Sequence, residues 1–255
     1  MKILISPAKL LDYNKNIEVP SITKAHFLDS TEQLVKKLKK LSSKEISKLM
    51  NISESLGILN YERYQNWEKP NKASSTIKPA ITVFDGEVYK GLEVDTFSQK
   101  DFEVAQRDLR ILSGLYGILK PLDLIYPYRL EMGTKFAVDK NTKNLYEFWG
   151  TQIAEYLNQE LKEGEVIINL ASNEYFKAVH KKTLKARVIT PVFKELREDG
   201  TLKVIVVYTK HARGALARDI IQNQYTDIED IKGFNKGGYT FSEQESSENE
   251  WVFIR

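Results

Sequence analysis

The sequence predicts a single α/β domain in which a mixed β-sheet is flanked by helices. Segments whose apolar residues recur at helical spacing alternate along the 255 residues with short runs that are apolar throughout. Such runs are typical of strands that a sheet buries on both faces. No internal repeat and no low-complexity linker separates two halves, so residues 1–255 are interpreted as one domain.

The first half of the chain is predicted to open with a strand, followed by the turn SPAK at 6–9. Leu34, Val35 and Leu38 recur at helical spacing behind Ser30, which is a suitable N-cap. In chain order, the predicted elements are strand Lys2–Ile5, helices at 30–41, 43–50 and 53–66, a buried strand at 80–84 (AITVF) and a helix over 97–112.

The second half contains the longest predicted helix, over 143–161, in which Leu145, Trp149, Ile153 and Leu157 belong to one apolar stripe. The elements predicted after it are a strand at 166–171, a short helix at 174–179, strands at 186–193 and 203–209 joined by a turn at 197–200, a helix at 210–222 and late strands at 239–241 and 251–255.

Composition excludes several classes of function. The chain has no cysteine, which excludes disulfides, thiolate metal sites, iron–sulfur clusters and a thiol nucleophile. The three histidines are dispersed without metal-ligand spacing, so no metal and no cofactor is expected. No apolar run approaches the roughly 20 residues of a membrane helix. The apolar run at the N-terminus is too short for a secretory signal, so we expect a cytoplasmic protein that does not contact membranes.

The stretch LSGLYGILKPLDLIYPYRLEMG at 112–133 carries the densest set of candidate functional residues. A hairpin at Gly114–Gly117 between a helix over 101–112 and a second helix starting near Pro121 would resemble a helix-hairpin-helix element. In such an element, turn amides and a helix N-terminus point at a backbone phosphate, and Lys120 would flank it. The alternative is a pair of tight turns where a helix and the sheet meet closely.

A second group of candidates follows the ends of predicted strands. Lys9, Asn173, Lys177 and Arg213 each come shortly after such an end, where α/β sheets bind ligands. If those strands are parallel neighbours, the side chains converge on one crevice. The alternatives are that Asn173 only caps a helix, that Lys177 is solvated and that Arg213 lies on a solvated helix face.

Several of these strings resemble a known family, the YaaA-type peroxide stress resistance proteins, nearly from end to end. They are LISPAK (4–9), F-x-G-x-VY-x-GL (84–92), the 112–133 stretch, YEFWG (146–150), NLASNEYFK (169–177), ARG (212–214) and GFNKGGY (233–239). The resemblance implies a bacterial protein that helps cells survive hydrogen peroxide by limiting unincorporated iron and oxidative DNA damage. It also implies an α/β fold of unusual topology, with a basic cleft and a helix-hairpin-helix element that bind double-stranded or distorted DNA.

Two hypotheses about function remain open from the sequence. The first is a DNA-binding protein with little sequence preference. The second is an enzyme that acts on a nucleotide or another phosphorylated small molecule at the carboxyl ends of the strands. A deep pocket of mixed polar groups would favour the enzyme, and a shallow basic groove would favour DNA binding. The candidate DNA- or phosphate-binding residues are Lys9, Gly114, Tyr116, Gly117, Lys120, Arg129, Asn173, Lys177, Lys181, Lys182 and Arg213.

Overall fold

The computed structural model describes residues 1–255 and contains thirteen strands and ten α-helices. The strands are β1 (Lys2–Ile5), β2 (Leu10–Leu11), β3 (Thr23–Lys24), β4 (Lys78–Pro79), β5 (Phe84–Asp85), β6 (Leu109–Ser113), β7 (Gly117–Leu119), β8 (Asp123–Ile125), β9 (Ile167–Leu170), β10 (Val188–Leu196), β11 (Leu202–Lys203), β12 (Thr240–Ser242) and β13 (Glu250–Ile254). The helices are α1 (Leu28–Leu38), α2 (Ser43–Met50), α3 (Glu54–Gln65), α4 (Ala80–Val83), α5 (Glu87–Leu92), α6 (Gln99–Asp108), α7 (Leu145–Trp149), α8 (Gln152–Glu160), α9 (Asn173–Phe176) and α10 (Val206–Asn223).

A mixed eight-stranded sheet forms the centre of the fold, as the sequence predicts. Its order is β12-β13-β10-β9-β1-β6-β7, and β11 pairs with β10. The strands from β13 to β6 run parallel, whereas β7, β11 and β12 are antiparallel to their neighbours. All residues of β1 and β9 are buried, and Ile5 lies opposite Leu170. The carboxyl ends of these two central strands therefore lie side by side. None of the helices combines the length and the apolar composition that crossing a membrane requires.

Three predicted elements differ in the structure. Residues 80–83 form a buried helical turn, and only Phe84–Asp85 is extended. The segment 203–209 contains the first turn of α10, and its valines at 206 and 207 are exposed. The helix predicted over 143–161 is interrupted at Gly150, which has φ +47°. Short apolar runs lack a period that separates strand from helix, and a single glycine in the left-handed region ends a helical turn.

The helix-hairpin-helix predicted around Gly114 is not confirmed. α6 ends at Asp108, and residues 109–113 enter the sheet as β6, with every side chain buried. β6 pairs with β1 on one edge and with β7 on the other, so Gly114–Gly117 turns a β-hairpin. The physical reason is that this segment buries Leu109, Ile111 and Leu112 in the sheet and bonds to a strand on each side. Its two polar side chains, Arg110 and Ser113, are paired with Glu160 and Tyr128.

A helical hairpin does occur elsewhere, between α2 and α3, and we call residues 43–65 the helical hairpin. Its connection is only three residues long, because Asn51 ends α2 in the left-handed region and Ser53 caps α3. Gly57 allows the two helices to touch, since a Cβ there would lie 2.7 Å from the Ser43 carbonyl oxygen. The separate predictions of helices at 43–50 and 53–66 are confirmed.

Candidate functional site

A cavity of about 650 Å³ opens at the carboxyl ends of β1 and β9, and we call it the strand-end pocket. Residues 6–10 after β1 form one side, and Ser172, Glu174 and Tyr175 after β9 form another. The β2–β5 pairing brings residues 85–90 against the first side. Ligands bind at this position in open α/β sheets because the loops after neighbouring parallel strands diverge there.

The floor of the strand-end pocket is held by hydrogen bonds between the two loops. The Ser172 amide donates to the Ser6 hydroxyl oxygen at 2.9 Å, and that hydroxyl donates to the Ser172 hydroxyl at 3.3 Å. The Tyr89 hydroxyl donates to the Ser6 carbonyl oxygen at 3.1 Å. Burial raises the pKa of the Tyr89 and Tyr175 phenols, so both remain protonated at neutral pH. They can orient a ligand through hydrogen bonds, but neither is a base.

Glu131 stands at the mouth of the strand-end pocket between two cations. Its carboxylate lies 3.0 Å from an Nη atom of Arg129 and 2.6 Å from Nζ of Lys9. Lys9 is exposed, whereas Arg129 is largely buried with its Nε atom unpaired. The segment 129–131 is fixed from behind: the Tyr64 hydroxyl donates to the Arg129 carbonyl oxygen, and Gly114 lies directly under the Leu130 carbonyl.

Arg213 reaches the strand-end pocket from α10. The neighbouring Gly214 allows α10 to cross α5 closely, because a Cβ there would lie 1.8 Å from the Val88 carbonyl oxygen. The Arg213 side chain has no ion pair within 4.0 Å, and its Nε is buried without a hydrogen-bond partner. Burial lowers the pKa of this guanidinium, which still stays charged at neutral pH because arginine starts so high.

The strand-end pocket is thus a mixed polar cavity rather than a uniformly basic one. It is lined by Lys9, Lys90, Arg129, Lys210 and Arg213 and by Asp85, Glu87, Glu131 and Glu174. Of the carboxylates, Glu87 pairs with Lys90 at 2.6 Å and Asp85 pairs with Lys15 at 3.3 Å. Glu174 accepts a hydrogen bond from the Gly133 amide at 2.8 Å.

Three residues predicted from sequence converge here, namely Lys9, Arg129 and Arg213. Asn173 is exposed at the start of α9, and it is its neighbours Ser172 and Glu174 that line the cavity. Lys177 lies over the Tyr146 ring at 4.8 Å, and the lysines at 181 and 182 are exposed on a short 3₁₀ turn; none of the three lines the cavity.

The other four candidates have structural contacts. Tyr116 is fully buried, and its oxygen accepts hydrogen bonds from the Trp67 indole at 3.2 Å and from the Tyr126 amide at 3.0 Å. Gly114 and Gly117 are buried too, Gly117 against the Trp149 ring with φ +71°. Lys120 pairs with Glu160 at 3.1 Å. Residues 114–117 are therefore buried, and their turn offers no exposed surface to a phosphate.

An open cleft of about 980 Å³ adjoins the strand-end pocket, and we call it the hairpin cleft. The helical hairpin forms one wall through Lys48 and Asn51, and residues 133–137 form the opposite wall. Lys9, Arg129, Glu131 and Glu174 line both cavities and join them. Sequence reasoning missed Lys48, Asn51 and Lys135, although the basic run 35–41 and the capping sequence SSKE at 42–45 were available signals.

Comparison with known proteins gives one consistent result. A family model described as "Peroxide stress protein YaaA" matches residues 1–245. A UPF0246 protein of Saccharophagus degradans is 49% identical over 258 residues, which cover 100% of this chain and 99% of the relative. A UPF0246 protein of Teredinibacter turnerae is 49% identical over 257 residues, with 100% and 99% covered. One of Cellvibrio japonicus is 47% identical over 254 residues, with 99% and 97% covered.

Proposed function

We propose, from the premise that the chain belongs to the peroxide stress protein YaaA family, that it protects DNA during peroxide stress by binding it. The ligand would be double-stranded or distorted DNA, held in the hairpin cleft with little sequence preference. Binding would limit iron-dependent oxidative damage to the DNA. The family membership supports the peroxide stress role, and the features of the hairpin cleft support the choice of DNA.

The observation that carries this proposal is the helical hairpin on the wall of an open cleft. The amides of residues 54 and 55 lie in the first turn of α3, where no intrahelical acceptor exists. Together with the positive end of the helix dipole, such amides bind phosphate oxygens. Residues 53–55 at this end of α3 are exposed, and Asn51, which begins the turn before them, lines the cleft.

Free lysines surround the same feature. Lys37, Lys40, Lys44 and Lys48 are exposed on α1 and α2 or between them, and none has a carboxylate within 4.0 Å. Lys135 is exposed on the opposite wall of the cleft. Lysines arranged in this way neutralise backbone phosphates without reading bases.

A salt titration of binding to duplex and bubble DNA tests the proposal. We expect log K to fall linearly with log salt, and Lys48→Ala to reduce the slope by about 0.9. The matched control is Lys162→Ala, which removes an exposed lysine that precedes β9, at the amino ends of the strands. Binding that ignores salt, or an equal effect of the two variants, would contradict the proposal.

A second candidate function is an enzyme that acts on a nucleotide or another phosphorylated small molecule. The specific observation in its favour is the mixed polar composition of the strand-end pocket at two adjacent strand ends. The test is to incubate the protein with nucleotides and follow product formation by chromatography. Turnover that Arg129→Ala abolishes and Lys48→Ala leaves unchanged would support an enzyme. The absence of turnover with nucleoside mono-, di- and triphosphates would exclude a nucleotide substrate.

A further inference from the structure

Two side-chain nitrogens distinguish the strand-end pocket from the rest of the molecule. Among buried side-chain polar atoms, only Nε of Arg129 and Nε of Arg213 lack a hydrogen-bond partner. These residues lie 84 positions apart in the sequence, yet both line the same cavity. Buried polar atoms are otherwise nearly always paired in proteins, so two exceptions in one cavity require a common explanation.

The Arg213 guanidinium is the stronger exception. It is largely buried on α10, and no carboxylate lies within 4.0 Å of it. Removing a charged group from water is strongly unfavourable unless a partner compensates for it. A protein that retains such a cation beside a cavity has the electrostatics of a binding site for an anion.

The carboxylates around the cavity do not supply that partner. Glu131 is already shared by Arg129 and Lys9, and Glu87 and Asp85 each have a lysine of their own. Lys210, one turn before Arg213 on α10, adds another exposed positive charge at the rim. Glu174 has no cation within 4.0 Å and accepts a hydrogen bond from the Gly133 amide. The five lining cations outnumber the four lining carboxylates, so the net charge of the strand-end pocket is positive.

We propose that Arg129 and Arg213 together bind the phosphate group of a nucleotide. Guanidinium groups present N–H donors in a planar fork that matches phosphate oxygens. A cavity of about 650 Å³ is much larger than one phosphate and lies in the range of pockets for nucleotide-sized ligands. This inference rests on the second candidate function for the choice of site, but it requires only binding and no turnover.

The nucleotide can come from two sources. It can be a free nucleotide, or it can be an unpaired nucleotide of distorted DNA that lies in the adjoining hairpin cleft. The geometry permits both, because Lys9, Arg129 and Glu131 line the pocket and the cleft alike. Enzymes that extrude a base place the flipped nucleotide in a pocket of this kind beside a duplex groove.

The test measures the dissociation constants of deoxyadenosine 5′-monophosphate, pyrophosphate, malonate, duplex DNA and bubble DNA for four full-length proteins. These are the wild type, Arg213→Gln, Arg213→Lys and the control Arg218→Gln. Arg218 lies on the same helix but pairs with Glu93 and does not line the strand-end pocket. Thermal unfolding of each protein without ligand shows that the variants fold.

For the free nucleotide we expect Arg213→Gln to weaken binding of the monophosphate by about 10- to 100-fold, as the loss of charge-assisted hydrogen bonds predicts. Arg213→Lys should retain only part of the wild-type affinity for the monophosphate, and Arg218→Gln should have the wild-type affinity. For a nucleotide within DNA, the free monophosphate binds none of the proteins, and Arg213→Gln weakens binding of bubble DNA but not of duplex DNA.

Equal affinity of the wild type and Arg213→Gln for both the monophosphate and bubble DNA would overturn the inference. Malonate binding as tightly as pyrophosphate would also overturn it, because the site would then select carboxylates. Failure of the DNA proposal has a different signature, namely duplex binding that ignores salt or that Lys48→Ala and Lys162→Ala change equally. The two proposals can therefore fail separately.

Discussion

The ion pairs around Glu160 allow a quantitative prediction about Lys120, which the sequence placed at a phosphate site. The Glu160 carboxylate receives hydrogen bonds from Arg110 Nε at 2.7 Å, from Arg110 Nη2 at 2.9 Å and from the Tyr156 hydroxyl at 2.8 Å. Lys120 Nζ adds an ion pair at 3.1 Å. The Arg110 side chain is only 2% exposed, so it depends on Glu160 for its compensation.

The magnitude follows from the pKa of Glu160. Burial by itself raises this pKa, but Arg110, Tyr156 and Lys120 outweigh burial and lower it from 4.5 to about 2. A carboxyl group whose pKa is lowered on folding stabilises the protein above its unfolded pKa and loses that contribution as the pH falls through its folded pKa. The contribution is about 3 kcal/mol at pH 7, falls to about 1.4 kcal/mol near pH 3 and disappears below pH 2.

The assay is urea unfolding of the wild type and of Glu160→Gln between pH 7 and pH 2.5. We expect Glu160→Gln to lose about 3 kcal/mol at pH 7, close to the 3–5 kcal/mol typical of breaking a buried ion pair. The loss should shrink toward low pH, since the wild type then protonates Glu160. Lys120→Ala should lose less than about 1 kcal/mol, because Lys120 is partly exposed and Arg110 remains paired. A loss that stays constant from pH 7 to pH 3 would refute this reasoning.

Three further predictions concern Arg129 in the strand-end pocket and two buried residues of the 114–117 turn. Gly114→Ala places a Cβ 2.3 Å from the Leu130 carbonyl oxygen, so we expect the free energy of unfolding in chemical denaturation to fall by about 1–3 kcal/mol and nucleotide binding to weaken as the 129–131 segment shifts. Unchanged stability would show that the backbone moves aside at no cost. Arg129→Ala should abolish binding of the phosphate ligand, measured by calorimetry, and change the free energy of unfolding by at most about 1 kcal/mol; a much larger loss would make it a structural residue. Tyr116→Phe leaves the Trp67 indole and the Tyr126 amide without their acceptor, so we expect the free energy of unfolding in urea to fall by about 1–3 kcal/mol while DNA affinity is unchanged. Reduced DNA affinity at full stability would instead show that Tyr116 belongs to the binding surface.

Features with a strong local signal could be read from the sequence. The helical patterns in 30–66 predict three helices, and the serine caps place α2 and α3 almost to the residue, because a cap acts within a few residues. The first helix is less well placed: α1 spans Leu28–Leu38 without a side-chain cap, so the prediction of Ser30 as its N-cap is wrong. The apolar runs of β1 and β9 predict buried strands, and the polar residues that follow them predict a ligand-binding site at the carboxyl ends of these strands. Lys9 could be placed at that edge for this reason.

Only the tertiary structure decided the rest, because the remaining choices depend on neighbours distant in sequence. The local sequence of residues 109–113 is compatible with a helix, but the segment is a strand because β1 and β7 provide hydrogen-bond partners on both of its sides. Lys120 has the same charge as Arg213, yet Glu160 meets Lys120 and no carboxylate meets Arg213. Whether a cation is paired or left for a ligand is decided by packing between elements dozens of residues apart, and no local pattern in the chain encodes it.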